Sequence, residues 1–158
     1  MAGVEEGNRG VLTVERLLPV AKARLATVRQ DELLVDAARM LAGVECSLVI
    51  VCDGSGTAVG VITETDLVRR IGHCTGATCR MRAEDVMSRD IVSCHPDDRV
   101  DHVWERIKLK GLKHMPVLDG AQRPVGVLNA RDVVEALLDV VQHEERLLRD
   151  YVACVGYR

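Results

Sequence analysis

The feature that most restricts how this chain can fold is an internal repeat. Residues 60–67 read GVITETDL and residues 126–133 read GVLNARDV, a shift of 66 positions. The same shift, without a gap, aligns further residues outside the phrase: Val51 with Val117, Asp53 with Asp119, Gly54 with Gly120, and Val59 with Val125. A unit of this length is longer than a typical solenoid repeat and indicates two copies of a small domain.

Both copies carry the same order of secondary-structure signals. Apolar residues at helical spacing predict a first helix in each copy: Leu34, Ala37, Ala38 and Leu41, then Val100, Val103, Trp104 and Ile107. Two apolar runs separated by a turn follow and predict two strands, and a second helix starts near Glu64 or Ala130. One more strand is predicted before the first helix, at 25–28 and 90–93.

Each copy is therefore expected to be a β-α-β-β-α unit, which makes the chain an α/β (α+β) protein. A unit of this size is too small to bury its sheet well alone, so we expect the two copies to pack together. The predicted order is a flexible N-terminus (1–10), repeat 1 (11–76), repeat 2 (77–138) and a C-terminal helical extension (139–158).

The bulk composition argues against several classes of protein. A net charge of −3 lacks the basic surface of nucleic-acid-binding proteins, and no Phe, one Trp and two Tyr leave few rings for base stacking. No stretch approaches the ~18 apolar residues of a membrane span, and the N-terminus lacks the order of a secretory signal. We therefore expect a cytoplasmic protein with no nucleic-acid or membrane partner. No nucleophile–base pair or Walker loop is present, so neither enzyme activity nor a catalytic cofactor is expected.

The six cysteines form no CxxC pair. The most suggestive group is His73, Cys74 and Cys79, with Cys94 and His95 further along, but structural zinc sites usually have tighter paired spacings. Cysteines in apolar runs usually behave as small buried hydrophobes. We expect reduced thiols and no metal site, and the sequence leaves a redox or metal role of Cys74 and Cys79 open.

The repeated phrase runs a predicted strand into a predicted helix and allows two interpretations. Thr63 and Asp66 have the spacing of a capping box, in which each side chain satisfies the other residue's backbone N–H. The alternative is a ligand site, since a helix N-terminus attracts an anion. A carboxylate one turn further along can accept hydrogen bonds from two neighbouring hydroxyls, such as those of ribose. Phosphate beside ribose describes a nucleotide.

Over roughly residues 10–140 the chain resembles a tandem pair of CBS domains, also called a Bateman module. The resemblance rests on the two G-h-h-[T/S]-x-x-D phrases, of which the second has Asn in place of Thr or Ser, together with KHMPVLD and EDVMSRDIV. It implies two β-α-β-β-α units packed by their sheets about a pseudo-twofold axis. It also implies dimers and clefts that bind AMP, ADP or ATP and, in some members, NAD, NADH or S-adenosylmethionine.

The resemblance implies nucleotide-binding residues in the second copy. Asp132 would hold the ribose hydroxyls, with Asn129 at the position usually taken by Thr or Ser. Arg131 offers a planar guanidinium to phosphate. Lys113 and His114 match a basic pair that often meets phosphate, although they could also form a solvated strand end.

The first copy keeps the intact motif, with Thr63 and Asp66 as its binding residues. Ser47 and Leu48 stand where the second copy has the basic pair, so weaker binding of charged phosphates is expected there. Adenine would lie between aliphatic side chains and the backbone of the other copy's first strand, near 25–27 or 91–93.

The last predicted helix continues beyond repeat 2 with an apolar stripe that includes Leu147, Leu148, Tyr151 and Val152. Either the same chain or a second copy must cover this stripe, and we expect a homodimer. The predicted function is an adenine-nucleotide-binding regulatory module that transmits energy or redox status to an unidentified regulated protein. The alternative is a nucleotide-free CBS dimer that serves as an interaction scaffold.

Overall fold

The computed structural model describes residues 10–43, 46–74, 76 and 80–156. A 3-10 turn at Val14–Leu17 comes first. The elements that follow are α1 (Leu18–Ala23), β1 (Thr27–Arg29), α2 (Leu34–Leu41), β2 (Leu48–Cys52), β3 (Ala58–Thr63), α3 (Glu64–Gly72), α4 (Ala83–Val86), α5 (Val100–Lys110), β4 (His114–Leu118), β5 (Pro124–Asn129) and α6 (Ala130–Val155). Two repeats, each with a small sheet and helices, confirm the predicted α+β architecture.

The hairpins of the two repeats have the same register. In β2–β3 Leu48 pairs with Thr63, and 66 positions later in β4–β5 His114 pairs with Asn129. Each hairpin also shifts register once near its turn, at equivalent residues. Because a slip of one residue would turn every side chain to the opposite face, this agreement places the motif residues of the two copies at equivalent points of their sheets.

The first strand forms in repeat 1 and is missing from repeat 2. β1 lies parallel to β2 in a three-stranded sheet of order β1-β2-β3. The strand predicted at 90–93 is wrong: in the described residues, Cys94, directly after this segment, makes one parallel bridge with Val117. In repeat 1 the backbone N–H of Ile50 donates to Ala26 over 2.9 Å and that of Gln30 donates to Cys52 over 2.8 Å. Repeat 2 has Pro116 and Pro96 at these two positions, and proline has no N–H to donate.

Each of two short helices packs on the other repeat rather than on the repeat to which it belongs in the sequence. α1 precedes β1 but packs on β5, and α4 packs against α2, α3 and β3. Accordingly, Val14 and Ala21 are buried in the core of repeat 2, whereas Ala83 and Met87 are buried in the core of repeat 1. Sequence analysis missed both helices because their six and four residues are too few to show an amphipathic period.

Two equivalent glycines allow this close packing. A Cβ atom at Gly126 in β5 would lie 2.7 Å from the Cβ of Ala21, and one at Gly60 in β3 would lie 2.4 Å from the sulfur of Met87. The missing side chain therefore lets each short helix lie directly against a strand of the other repeat.

The core of the described residues is apolar, with no buried polar or charged side chain. Leu48, Ile50 and Cys52 of β2 form a buried cluster with Val127 of β5, where the hairpins of the two repeats meet. Each fully buried aliphatic side chain contributes roughly 1.5–3 kcal/mol. This cluster therefore stabilises the packing of one repeat on the other.

The last helix continues past repeat 2 and carries an exposed apolar stripe. α6 has 26 residues, and the members of its stripe that are more than half exposed are Leu138, Val141, Leu147, Leu148, Tyr151, Val152 and Val155. The residues of this chain that the structure describes therefore leave the stripe exposed. Among the described residues, neither α6 nor any other helix combines the length and the apolarity of a membrane span.

Candidate functional site

The motif of the second copy borders a cavity between the two repeats, which we call the second cleft. The cavity has a volume of about 600 Å³. Its lining residues are Pro19, Val20, Ala23, Arg24, Ser47, His114 and Asn129. Helix α1 supplies an aliphatic wall, while the paired ends of β4 and β5 supply polar groups.

Asp132 lies one turn into α6 and points its carboxylate at Arg24. Both terminal nitrogens of the guanidinium contact the two carboxylate oxygens, and the Nη2–Oδ1 distance is 3.2 Å. The side chain of Arg24 is 25% exposed and that of Asp132 is 15% exposed. A planar guanidinium facing a carboxylate in this two-point geometry makes a strong charge-assisted contact. The ion pair thus joins α1 to the start of α6.

Asn129 and Arg131 occupy the first turn of α6. Asn129 is the N-cap residue, and its Oδ1 accepts a hydrogen bond from the backbone N–H of Arg131 over 2.9 Å. The guanidinium of Arg131 is exposed and pairs with Glu135 over 3.3 Å. Asn129 therefore lines the second cleft while also capping the helix, whereas Arg131 is not among the residues that line it.

His114 lies opposite Asn129 at the end of the β4–β5 hairpin and is half-buried. Burial lowers its pKa below the ordinary value of 6.5, and the positive charges of Arg24 and Lys113 lower it further. The nearby carboxylates of Glu64 and Asp132 act in the opposite direction. Lys113 itself is exposed. The basic pair predicted from the sequence therefore consists of one residue that lines the second cleft and one at its rim.

The lowered pKa of His114 predicts how stability changes with pH. The unfolded chain holds the proton more tightly than the folded chain, so protonation favours unfolding, and this penalty appears as the pH falls below about 6.5. Between about pH 7.5 and pH 5 the wild type should lose more stability than His114→Gln, measured by urea unfolding. His143→Gln, at an exposed position of α6, is the control. Parallel pH profiles for all three proteins would contradict the prediction.

The first copy uses its motif differently. Asp66 Oδ2 accepts hydrogen bonds from the backbone N–H and from the hydroxyl of Thr63, each over 2.9 Å, while the Thr63 hydroxyl accepts one from the Asp66 N–H over 3.4 Å. The capping-box interpretation of Thr63 and Asp66 is confirmed. Their role in binding a nucleotide stays a prediction.

The two motif aspartates thus have different partners, and the sequence explains the difference. Asp66 is satisfied within its own helix turn, while Asp132 reaches a residue 108 positions away in sequence. A shift of 66 positions aligns Arg24 with Asp90, and an acidic residue there cannot pair with Asp66. The motif of the second copy therefore has a basic partner, Arg24, that the motif of the first copy lacks.

The sequence did not reveal Arg24 or the aliphatic wall formed by α1. Adenine was expected near 25–27 or 91–93, which stays a prediction; Leu25 and Thr27 line a separate cavity of about 540 Å³. One signal for Arg24 was present in the sequence. The shift of 66 positions aligns Arg24 with Asp90, which indicates a difference in charge between the two copies. The wall itself could not be found, since its helix packs on the repeat that follows it in the chain.

The described cysteines differ in their exposure. Cys52 and Cys94 are buried and Cys46 is half-buried, while Cys154 is exposed near the end of α6. Burial raises the pKa of the Cys94 thiol to about 12, so it stays protonated and unreactive at neutral pH. No group of three potential metal ligands occurs among the described residues, and Cys79 lies outside them.

Comparison with known proteins identifies the family. The model of the CBS domain matches residues 14–73 and 83–139, which is most of the chain. An uncharacterized 17.7 kDa protein of Acidianus ambivalens is 24% identical over 121 residues, covering 77% of this chain and 72% of that one. The L-aspartate semialdehyde sulfurtransferase of Methanocaldococcus jannaschii is 26% identical over 107 residues, covering 68% of this chain. This chain spans only about a fifth of the sulfurtransferase, 20% of its length.

Solved structures share the fold. A CBS-domain containing protein from Agrobacterium tumefaciens superposes with a TM-score of 0.67 at 27% identity, covering 78% of this chain and 98% of that one. A CBS domain pair in complex with 5′-methylthioadenosine and S-adenosyl-L-methionine gives 0.66 at 22% identity, covering 80% and 96%. CBSX2 in complex with AMP gives 0.69 at 20% identity, covering 82% and 98%. This protein belongs to the CBS-domain family and is built as a tandem pair of CBS domains.

Proposed function

We propose that the second cleft binds an adenine nucleotide and that the protein is a regulatory module rather than an enzyme. The observation that carries the proposal is the second cleft itself. An aliphatic wall, the basic groups of Arg24 and His114, and the carboxylate of Asp132 meet around one cavity of about 600 Å³. Small-molecule sites usually have volumes of ~300–1,000 Å³ with a few well-placed polar groups.

Each part of an adenine nucleotide has a counterpart in the second cleft. The wall formed by Pro19, Val20 and Ala23 suits the flat face of adenine. Asp132 suits the two ribose hydroxyls, because an ionised carboxylate accepts hydrogen bonds from both. The phosphate would lie near His114 and the N-terminus of α6, where the helix dipole favours an anion.

Two further residues predicted to bind phosphate lie close to this site. Lys113 precedes His114 and is exposed at the rim, where a flexible ammonium can reach a phosphate. Arg131 would have to leave Glu135 to do the same. We assign the phosphate to His114 and Lys113 first, and to Arg131 only after such a rearrangement.

The relatives support an adenosine ligand. Two proteins that share the fold hold AMP, or 5′-methylthioadenosine and S-adenosyl-L-methionine. The ligand proposed here is accordingly AMP, ADP, ATP or an NAD-type dinucleotide, with no catalytic cofactor. Because the chain matches only a fifth of the sulfurtransferase, that enzyme's activity is no part of the proposal.

A thermal-shift screen with AMP, ADP, ATP, NAD, NADH and S-adenosylmethionine tests the proposed function. A ligand present at ~100 times its dissociation constant adds about 2.7 kcal/mol to the free energy of unfolding. For a chain of this length that corresponds to a rise in Tm of roughly 5–11 °C. We expect such a rise with at least one of the six ligands. If none of them raises the Tm at millimolar concentration, the nucleotide proposal fails and the scaffold alternative replaces it.

We propose a weaker role for the first cleft, by which we mean the surface around Thr63 and Asp66. Thr63 and Asp66 already satisfy each other there, and Leu48, at the position equivalent to His114, supplies no positive charge. A phosphate at that site would meet Glu64 and Asp66 in the first turn of α3. Nucleotide binding at the first cleft is therefore expected to be weaker than at the second cleft.

The exposed stripe of α6 supports a homodimer, both in the nucleotide-binding function and in the scaffold alternative. Leu147, Leu148, Tyr151 and Val152 are all more than half exposed, and contiguous apolar surface of this kind usually marks an interaction site. A second copy would cover the stripe of its partner and be covered by it. Through this assembly the module would transmit nucleotide occupancy to a regulated protein.

The expected result in sedimentation velocity is a dimer at micromolar concentration. Leu148→Glu should shift the protein to the monomer, because a charged side chain in the middle of the stripe opposes its burial. Asp139→Asn, at another exposed position of α6, should leave the dimer intact. A wild-type monomer at ten micromolar, or a Leu148→Glu dimer, would contradict this prediction.

A further inference from the structure

Arg24 occupies the carboxylate that a ribose would need. Its two terminal nitrogens contact both oxygens of Asp132. Ribose hydroxyls that hydrogen-bond to this carboxylate would compete for the same oxygen atoms. Nucleotide binding at the second cleft therefore requires the Arg24–Asp132 ion pair to open or rearrange.

The position of Arg24 lets its side chain move without its backbone. Arg24 is the C-cap residue of α1, and its N–H donates to the carbonyls of Ala21 and Lys22. Ala21 is fully buried against the core of repeat 2, so the helix end is held in place. The guanidinium, by contrast, stands at the wall of the cavity on a long side chain and is 25% exposed.

The charges around the second cleft indicate where a released guanidinium would go. Arg24 and His114 line the same cavity, and the exposed Lys113 directly precedes His114. Removing Asp132 from Arg24 leaves the guanidinium without its carboxylate partner. A phosphate on the ligand would replace the lost carboxylate and accept hydrogen bonds from the guanidinium in a similar two-point geometry.

We propose that Arg24 selects phosphorylated ligands in the second cleft: it blocks Asp132 until a nucleotide displaces it, and it then binds the nucleotide's phosphate. This proposal rests on the proposed function and specifies the ligand class of that site. When AMP binds, Arg24 loses the carboxylate of Asp132 and gains the phosphate of AMP. Adenosine also has to break the ion pair but has no phosphate for Arg24, so Arg24 lowers the affinity for adenosine.

The first copy cannot operate in this way. The position equivalent to Arg24 is Asp90, and Asp66 already accepts its hydrogen bonds from Thr63. Selection for phosphate by this mechanism is therefore confined to the second cleft.

The test measures the affinities of AMP and of adenosine by isothermal titration for the wild type, Arg24→Met and Arg24→Lys. Arg24→Met keeps the length of the side chain and removes the charge. It should weaken AMP and strengthen adenosine, so that the ratio of their affinities falls at least ~10-fold, since a charge-assisted hydrogen bond contributes enough for that change. Arg24→Lys keeps the charge and loses the planar fork, so the ratio should fall by less. Arg29→Met, which changes an exposed arginine of the other cavity, should leave the ratio unchanged.

The outcomes separate this proposal from the proposed function. If Arg24→Met changes both affinities in parallel, or neither, Arg24 does not select phosphate, while nucleotide binding itself stands. If the wild type binds neither ligand, the role of Arg24 fails, whereas the proposed function fails only if none of the six ligands of the thermal-shift screen raises the Tm. Should Arg24→Met not fold, Arg24→Lys still decides the question, because a ratio identical to that of the wild type contradicts a role for the two-point contact.

Discussion

Replacing Asp132 with alanine is expected to weaken AMP binding roughly 10- to 150-fold. Charge-assisted hydrogen bonds contribute roughly 1.5–3 kcal/mol each, and about 1.4 kcal/mol is a tenfold change in affinity. The side chain is 15% exposed at the border of the second cleft, so water cannot fully replace these bonds. Isothermal titration of AMP into both proteins measures the change.

A 2′-deoxy ligand provides an internal check on this result. It lacks one of the two hydroxyls, so Asp132→Ala should cost it less than it costs AMP. Asp66→Ala is the matched control, since it removes the equivalent carboxylate of the first copy. That variant should lower the melting temperature through loss of the capping box and leave the tight AMP site intact. Equal losses of AMP affinity in the two variants would contradict the assignment of the site to Asp132.

Gly126→Ala is expected to cause the largest loss of stability from a single added methyl group. The new Cβ would lie 2.7 Å from the Cβ of Ala21 and 2.9 Å from its carbonyl carbon, so α1 would have to move away from β5. Overpacking of this kind costs up to about 3 kcal/mol, which corresponds to a fall in Tm of roughly 6–12 °C for a chain of this length. Differential scanning calorimetry measures both quantities.

Gly60→Ala is the matched control for this prediction, because it adds the same methyl group at the equivalent position. There the new Cβ meets the side chain of Met87, with its sulfur at 2.4 Å, and a flexible thioether can adopt another rotamer. Its loss of stability should therefore be smaller. Moving α1 also displaces Arg24, so Gly126→Ala should weaken AMP binding while Gly60→Ala should not. Equal stability losses in the two variants would show that α1 is not held closely against β5.

The parts of the fold that could be predicted are those whose sequence patterns occur in both copies of the repeat. The hairpins and the helices that follow them came from apolar runs and a shared register, and Leu48 and His114 indeed occupy equivalent positions. The prediction of a strand at 90–93 was wrong because an apolar pattern does not show which backbone hydrogen bonds are lost, here those that Pro116 and Pro96 cannot donate. Long-range packing of the short helix α1 also left no periodic signal in the sequence.

The candidate site was predictable to a similar extent. The motif identified Asp132 and Asn129, and the structure places both at or beside one cavity that His114 also lines. Arg24 was missed because its contact with Asp132 joins residues 108 positions apart in sequence, and such pairs follow from the fold rather than from local spacing. Arg131 shows the reverse case: the sequence places it beside the motif aspartate, yet its side chain pairs with Glu135 on the exposed face of α6.

A crystal structure of the protein grown with AMP tests the central claim most directly. We expect AMP in the second cleft, with adenine against Pro19, Val20 and Ala23 and both ribose hydroxyls within hydrogen-bond distance of Asp132. We also expect the guanidinium of Arg24 to have left that carboxylate for the phosphate. AMP bound in the first cleft alone, or in the cavity beside Arg29 and Arg123, would contradict the assignment of the nucleotide to the second cleft.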